Sequence, residues 1–216
     1  MTILPASDRA LLISVGQEIS LAAHREVLRI TRALAGVPGL LNLHPAYASV
    51  LVEFDLRRTS WERMVGAIHE RVEAAAHAPE PVPRYVEIPV RYGGQEGPDL
   101  EEVSRHAGLS PREVVETHSS AEYLVYFLGF SPGFPYLGGM PEKIATPRLA
   151  QPRKHVPAGS VAIGGAQTGV YPVASPGGWR IIGRTPLRLF RPEASPPVLL
   201  EMGDRVRFVP LQEGPL

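Results

Sequence analysis

Residues 127–186 read FLGFSPGFPYLGGMPEKIATPRLAQPRKHVPAGSVAIGGAQTGVYPVASPGGWRIIGRTP, and this stretch decides the fold. Glycine and proline interrupt it every few residues, while aromatic and β-branched residues lie between them. A disordered linker would lack those apolar residues. Glycine and proline supply the backbone angles that tight turns require. The stretch therefore predicts short strands joined by rigid loops, on which polar side chains can form a site.

The composition of the chain excludes several classes of protein. The 216 residues carry 22 basic and 22 acidic side chains and no cysteine. The balanced charge argues against nucleic acid as a partner, and the absence of cysteine excludes disulfides and thiolate chemistry. We find neither a signal-peptide pattern nor an apolar run of about 20 residues, the length that a membrane helix needs. We therefore expect a cytoplasmic protein without membrane segments.

The first part of the chain, residues 1–82, predicts a small α+β domain. Hydrophobic spacing indicates strands and helices in the order β-α-β-β-α-β, at residues 10–15, 20–34, 40–44, 47–54, 60–76 and 84–92. This is the order of a ferredoxin-like, split βαβ unit. Thr59 and Glu62 have the spacing of a capping box at the start of the second helix. The strand at 84–92 either completes this sheet or begins the next domain.

The second part, residues 83–216, predicts a mainly β domain that contains a helical hairpin at 98–118. Many short strands with frequent turn signals indicate a closed or nearly closed barrel. The hairpin has the spacing of a helix-turn-helix, but its second helix offers Glu113 and Glu116 against Arg112. We therefore predict a hairpin that packs on the barrel and does not bind DNA.

Residues 129–133 match the G-x-S-x-G pattern of a serine hydrolase elbow. The elbow needs the N–H of the residue after the serine, and Pro132 has none. We therefore reject a nucleophilic role for Ser131. The aromatic residues around this loop either form the wall of a pocket or fill one end of the barrel; they are Phe130, Phe134, Tyr136 and Trp179.

Several loop residues are candidates for binding an anionic substrate. Guanidinium groups bind carboxylates and phosphates with two hydrogen bonds, and Arg153, Arg180 and Arg184 lie among glycine and aromatic residues. Arg188 and Arg191 are better interpreted as a solvated barrel exterior. Residues 164–169, GGAQTG, lack the ending of a P-loop but can form an anion-binding nest. Further hydrogen-bonding candidates are Ser160, Gln167, Thr168 and Ser175.

Two residues are candidates for moving protons. His155 is the best general acid or base by residue type, with a structural role as the alternative, and Tyr171 is the second candidate. The other histidines have no metal-ligand spacing, so we predict no metal site.

Three blocks of the sequence carry a resemblance: GFSPGFPYLGG, VPAGSVAIGGAQTGVYP and SPGGWRIIGRTP. They resemble the signature blocks of the family that contains the B-type subunit of 5-oxoprolinase, allophanate hydrolase subunit 1 and the sporulation kinase-A inhibitor. The resemblance covers essentially the whole chain, and it implies a cyclophilin-like barrel in the second part. It also implies a subunit of an ATP-dependent 5-oxoprolinase, in which ATP phosphorylates 5-oxoproline and hydrolysis gives glutamate.

The same resemblance implies partners and leaves alternatives open. A homologous larger subunit, similar to allophanate hydrolase subunit 2, and a third subunit would share the ATP site, and the chain alone would be inactive. The first alternative is a binding protein that inhibits a sensor histidine kinase, which predicts an exposed apolar patch outside the glycine-rich loops. The second is a carboxyltransferase-like subunit related to allophanate hydrolase and urea carboxylase, although the chain has no biotin-attachment motif.

Overall fold

The computed structural model describes residues 1–80 and 82–211. The chain divides into two compact units, Met1–Val82 and Pro83–Leu216. The helices are α1 (Leu21–Leu34) and α2 (Trp61–Ala74) in the first unit, and α3 (Leu100–Ala107) and α4 (Pro111–Ser120) in the second. The strands of the first unit are β1 (Thr2–Ser7), β2 (Ala10–Ser14), β3 (Leu40–Pro45) and β4 (Ser49–Phe54). Those of the second are β5 (Tyr85–Tyr92), β6 (Tyr123–Leu128), β7 (Pro135–Gly138), β8 (Arg153–Val156), β9 (Ser160–Gly164), β10 (Gln167–Val170), β11 (Ser175–Gly177), β12 (Arg180–Arg184) and β13 (Arg205–Pro210).

The first unit is an antiparallel sheet in the order β1-β2-β4-β3. Strands β2 and β3 run parallel with β4 between them, as in a split βαβ unit. The fourth strand is β1, which the sequence did not predict, and the strand at Tyr85–Tyr92 belongs to the barrel. β1 is an edge strand with mostly exposed side chains, so it lacks the alternation that marks a half-buried strand. The ferredoxin-like assignment of this unit stays a prediction.

Both helices of the first unit bury one face. The buried residues of α1 include Val27 and Ile30, and those of α2 are Met64, Ile68 and Val72. The N-cap of α2 is Ser60, whose hydroxyl accepts a hydrogen bond from the backbone N–H of Arg63, so the predicted cap at Thr59 was wrong by one residue. Thr59 is part of the preceding turn, because its N–H donates to the carbonyl of Asp55.

The second unit contains a closed barrel of seven strands in the order β10-β7-β6-β13-β5-β12-β9. The predicted barrel is therefore confirmed, within a fold of mixed α and β content. β13 pairs parallel to β5, and the other barrel pairs are antiparallel. α4 packs against β13 and α3 against β12, while β8 and β11 form a separate two-stranded sheet. None of the helices in the described residues is long and apolar enough to span a bilayer.

Candidate functional site

A buried carboxylate joins helix α3 to strand β12. The Oδ2 atom of Asp99 accepts a hydrogen bond from the backbone N–H of Ile181 at 2.7 Å, and its Oδ1 atom accepts one from Nη2 of Arg153 at 2.6 Å. Asp99 is 5% exposed, and its N–H donates to the carbonyl of Ile181. Arg153, predicted as an anion clamp, therefore has a buried acidic partner within the chain. Its Nη1 atom is buried and has no hydrogen-bond partner among the described residues.

Arg180 makes a second connection to α3. Its guanidinium forms an ion pair with Glu102 of α3, and its Nε donates to the carbonyl of Pro147 at 3.1 Å. The sequence predicted Arg180 as an anion clamp as well. Because Arg153 and Arg180 each hold a carboxylate of the chain itself, an external anion would have to compete with that partner. Arg180 therefore holds α3 against the barrel, and Arg153 joins the start of α3 to β8 of the separate two-stranded sheet.

Arg184 differs from the other two predicted clamps because it lines an open cleft of about 310 Å³. Its Nε donates to the carbonyl of Ala158 at 3.0 Å, and its Nη1 lies 3.3 Å from Oε2 of Glu96. Other residues around the cleft are Arg91, Gly159, Pro172, Thr185, Leu187 and Arg188. Ligand sites in proteins have volumes from about 300 Å³ upward, so the cleft suits a small molecule.

Gly159 lies in the wall of this cleft, and only glycine fits there. Its φ angle is +83°, and a Cβ atom would lie 2.4 Å from the carbonyl oxygen of Thr185. The N–H of Gly159 donates to the carbonyl of Tyr171, and its own carbonyl accepts from the N–H of Thr185. These bonds hold the turn at Tyr171 against the end of β12, so the wall of the cleft is rigid.

The predicted pocket-wall aromatics come together around Tyr171. The Phe134 ring makes edge-on contacts with Tyr136, Tyr171 and Trp179, at centroid distances of 5.3, 5.3 and 5.6 Å. Phe134 and Trp179 are buried in a cluster with Val156, Ala162 and Ile181, which is separate from the core that contains Val161, Ile163 and Ile182. Their assignment to a pocket wall stays a prediction. Phe130 is 64% exposed, has a φ angle of +64°, and packs edge-on against Phe134 and Tyr171. The loop continues into strand β7 and not into a helix, in agreement with the rejection of a hydrolase elbow.

The two proton-handling candidates have different surroundings. Burial raises the pKa of Tyr171, whose hydroxyl also interacts with the backbone of Trp179. The phenol therefore keeps its proton at neutral pH and can act as a hydrogen-bond donor. His155 lies exposed on β8, and we find no hydrogen bond from its ring to any described residue. Nothing in the described structure orients His155 for proton transfer.

The predicted hydrogen-bonding groups do not form one cluster. Ser160 is buried on β9, and the Oγ atom of Ser175 on β11 is buried without a partner in the described structure. Gln167 pairs with Gly164 at a tight hairpin between β9 and β10. The N–H of Gly165 in that hairpin donates to the carbonyl of Thr146. This N–H is therefore not available to the anion-binding nest that the sequence suggested.

Thr168 lies inside the barrel, at the end of a buried polar chain. Nε2 of His118 lies 2.8 Å from Oγ1 of Thr168, which in turn donates to the carbonyl of Ala162, and Nδ1 of His118 lies 2.8 Å from the hydroxyl of Tyr92. Because Thr168 uses its own proton on Ala162, it accepts from His118 Nε2–H, and Nδ1 accepts from Tyr92. Burial lowers the pKa of His118 to about 3, so the imidazole is neutral. A ligand outside the barrel would not reach Thr168, which is completely buried.

Sequence reasoning missed four residues that organise these sites: Arg91, Glu96, Asp99 and His118. Arg188, which the sequence predicted as part of a solvated exterior, pairs with Glu193, and both side chains are more than half exposed; Arg188 also borders the cleft. A proline–aspartate pair before a predicted helix was the available signal for Asp99. Among the described residues, no group of three or more histidine, aspartate or glutamate side chains comes together to hold a metal ion.

The described part of the second unit exposes two large hydrophobic side chains, Tyr85 and Phe130. The kinase-inhibitor alternative predicts an apolar patch outside the glycine-rich loops. Phe130 belongs to one of those loops, and Tyr85 is a single residue. This alternative stays a prediction.

Comparison with known proteins identifies the family. The family of the carboxyltransferase domain, subdomain C and D, matches residues 1–200. The chain belongs to this family. It is 47% identical over 209 residues to the B-type 5-oxoprolinase subunit of Escherichia coli O157:H7, covering 96% of this chain and 94% of that protein. It is 46% identical over 222 residues to the B-type 5-oxoprolinase subunit of Bacillus subtilis strain 168, covering 95% of this chain and 91% of that protein. The predicted family, that of the B-type 5-oxoprolinase subunits, is therefore confirmed.

Two further similarities are partial. The crystal structure of TTHA0988 superposes with a TM-score of 0.83 at 41% identity, covering 96% of this chain and 40% of that one. The chain therefore spans less than half of that protein. A putative urea carboxylase from Emericella nidulans is 26% identical over 61% of this chain and 11% of its own length. The relation to urea carboxylase is thus distant.

Proposed function

We propose that this chain is the B-type subunit of a 5-oxoprolinase, an ATP-dependent enzyme that opens the lactam ring of 5-oxoproline to give glutamate. The observation that carries the proposal is the 47% identity over nearly the full length of both this chain and the relative from E. coli. A match of this extent includes both units and all three glycine-rich blocks. A match of one domain would support only a shared fold.

The proposal places ATP at a site shared with partner subunits. The glycine-rich loop at residues 164–169 is a tight hairpin between two strands, and the N–H of Gly165 is already bonded to Thr146. A loop of this form does not cradle a triphosphate as a P-loop does. A larger homologous subunit and a third subunit complete the site, and the chain is inactive alone. The assembly works in the cytoplasm, where ATP is available.

Within this chain, the proposal assigns the contact with the anionic group of the substrate to Arg184, which lines an open cleft. Tyr171, which is 2% exposed, stays a proton-handling candidate in the proposal. Arg153 and Arg180 act indirectly, through the position of α3. His155 remains the second proton-handling group, and Ser160, Gln167 and Ser175 remain hydrogen-bonding groups.

The experiment that tests the proposal measures glutamate release from 5-oxoproline and ATP. Three preparations are compared: this chain alone, the two partner subunits from the same source without it, and all three together. We expect glutamate only from the complete mixture, and none when ATP is omitted. A stable complex of the three subunits that releases no glutamate would rule out the proposal.

A further inference from the structure

Arg148 is an exposed arginine that contacts the chain through the face of an aromatic ring. Its guanidinium carbon lies 5.5 Å from the centroid of the Trp179 ring. Among residues 1–80 and 82–211, no carboxylate forms an ion pair with Arg148 and no group accepts a hydrogen bond from it. A cation–π contact uses the face of the indole ring and none of the five N–H donors of the guanidinium. These donors are therefore available to an anion.

A second arginine, Arg153, lies beside the same segment of the chain. Arg153 on β8 is directly opposite Gly177 on β11. The segment that carries Arg148 reaches the same place, because the N–H of Leu149 donates to the carbonyl of Gly178 at 2.7 Å. Glycine at position 177 leaves room for the hydroxyl of Tyr171, with which a Cβ atom there would collide. The two arginines therefore flank residues 177 and 178.

The charges of both arginines act on the hydroxyl that lies against Gly177. Burial raises the pKa of Tyr171, while the charges of Arg148 and Arg153 act in the opposite direction. Electrostatic effects of this kind weaken with distance, so both guanidinium groups lie near the Tyr171 hydroxyl. This agrees with the positions that the backbone gives them.

Arg153 keeps free donors although it has an acidic partner. Its Nη2 atom donates to Oδ1 of Asp99, which balances the charge of Arg153 but occupies one of its five N–H donors. Its Nη1 atom is enclosed and has no partner in the described structure, while 30% of the side chain is exposed. Buried polar groups in proteins normally have a hydrogen-bond partner. An acceptor that enters beside the exposed part of the side chain would supply one without displacing Asp99.

The acidic residues at the start of α3 do not balance the charge of Arg148. Asp99 pairs with Arg153, and Glu102 pairs with Arg180. Each of these pairs is neutral as a unit. The positive charge of Arg148 therefore remains next to the free donors of Arg153.

We propose that Arg148 and Arg153 bind an oxyanion, a carboxylate or a phosphate group, beside Gly177 and Trp179. Arg148 supplies the unbalanced charge, and Arg153 supplies the N–H donors that Asp99 leaves free. Neither arginine lines the cleft of Arg184, so this is a separate site. At that cleft Arg153 acts indirectly, whereas here it contacts the ligand. The inference goes beyond the proposed function and does not depend on it.

The test is an NMR titration of the full chain with inorganic phosphate, acetate and, as the ionic-strength control, sodium chloride. The signals observed are the indole N–H of Trp179 and the amides of Gly177 and Gly178. We expect phosphate or acetate to shift these signals to saturation, and chloride to leave them unchanged. Saturation with phosphate alone identifies a phosphate site, with acetate alone a carboxylate site, and with both a site for either group. No saturable shift with phosphate or acetate at millimolar concentration would overturn the proposal.

Variants make the titration specific to this site. Arg148→Gln weakens binding at least about tenfold, because it removes charge-assisted hydrogen bonds. It changes an exposed side chain, so the fold is retained. Arg153→Lys keeps a positive charge beside Asp99 but lacks the planar group of five donors, and we expect a smaller loss of affinity. The matched control is Arg207→Gln, which changes an exposed arginine on β13 and should keep wild-type affinity. Wild-type affinity in Arg148→Gln would contradict the proposal.

The titration uses this chain alone and measures binding, so it separates this inference from the proposed function. Anion binding beside Gly177 in a chain whose complete mixture releases no glutamate would contradict the enzyme assignment alone. Glutamate release by the complete mixture, with no anion binding at these signals, would contradict the oxyanion site alone.

Discussion

The barrel unit contains two polar clusters of opposite character. In the interior, Tyr92, His118 and Thr168 form a neutral chain in which each group has a donor or acceptor of the right kind. At the cleft, Arg91 and Arg184 are opposite each other with the same charge. The interior chain is explained by stability, because buried polar groups need partners. The cleft is open, and the proposed function assigns contact with the substrate to Arg184 there.

The largest effect that distinguishes the two clusters is expected for His118→Phe. This change leaves the buried hydroxyl of Tyr92 without its acceptor, and an unsatisfied buried group costs about 1–3 kcal/mol. With the loss of the bond to Thr168, we expect the free energy of unfolding to fall by about 3 kcal/mol in urea denaturation. The control His155→Phe changes an exposed histidine, and its free energy of unfolding should stay within about 0.5 kcal/mol of the wild-type value. Equal stability of the two variants would show that the hydrogen bonds among Tyr92, His118 and Thr168 do not contribute to the free energy of unfolding.

The hydrogen-bonded residues Tyr92, His118 and Thr168 also have a smaller effect, which is a dependence of stability on pH. Burial lowers the pKa of His118 from an ordinary value of 6.5 to about 3, so between these values the unfolded state binds a proton that the folded state does not. The free energy of unfolding therefore falls with decreasing pH, by about 1.4 kcal/mol per unit well below pH 6.5. From pH 7 to pH 5 this amounts to about 2 kcal/mol.

The measurement compares urea denaturation of the wild type and His118→Phe at pH values from 7 to 5, above the range in which most carboxylates titrate. We expect the variant to lose the component assigned to His118. If the two proteins lose stability in parallel, other groups cause the pH dependence.

The smallest effect on stability is expected at the cleft. Arg184→Met removes a hydrogen bond to Ala158 and a partly exposed ion pair with Glu96, and exposed ion pairs contribute little to stability. We expect the free energy of unfolding to change by less than about 0.5 kcal/mol, as for most surface substitutions. A loss as large as that for His118→Phe would show that the cleft arginines stabilise the fold, and it would remove the contrast between the clusters.

The sequence predicted the general fold because its signals are local. Short strands with frequent turn signals indicated the closed barrel, and the helices of both units bury apolar residues on one side. Strand β1 escaped prediction because an exposed edge strand has no alternating pattern. The parallel pairing of β13 with β5 brings together distant parts of the chain, and no local pattern specifies such a partner.

The residues of the candidate site were predicted less completely, because their positions depend on pairing between strands that are distant in sequence. Thr168 and Arg184 lie in the same glycine-rich stretch and were both predicted to contact a ligand. Thr168 faces the barrel interior and Arg184 faces a cleft, and this difference depends on strand register. Arg91 could not be identified because only the pairing of β5 with β12, which are distant in sequence, brings it to the cleft. Phe130, Phe134, Tyr136 and Trp179 were found together because aromatic residues between glycines are visible without knowing the fold.

The most direct test of the account is glutamate release by the complete three-subunit mixture with Arg184→Met in place of the wild-type chain. Arg207→Met serves as the control, and urea denaturation first establishes that both variants are folded. We predict a loss of at least about tenfold with Arg184→Met and wild-type release with Arg207→Met, because only the first removes charge-assisted bonds to the substrate. Wild-type glutamate release with Arg184→Met would contradict the account.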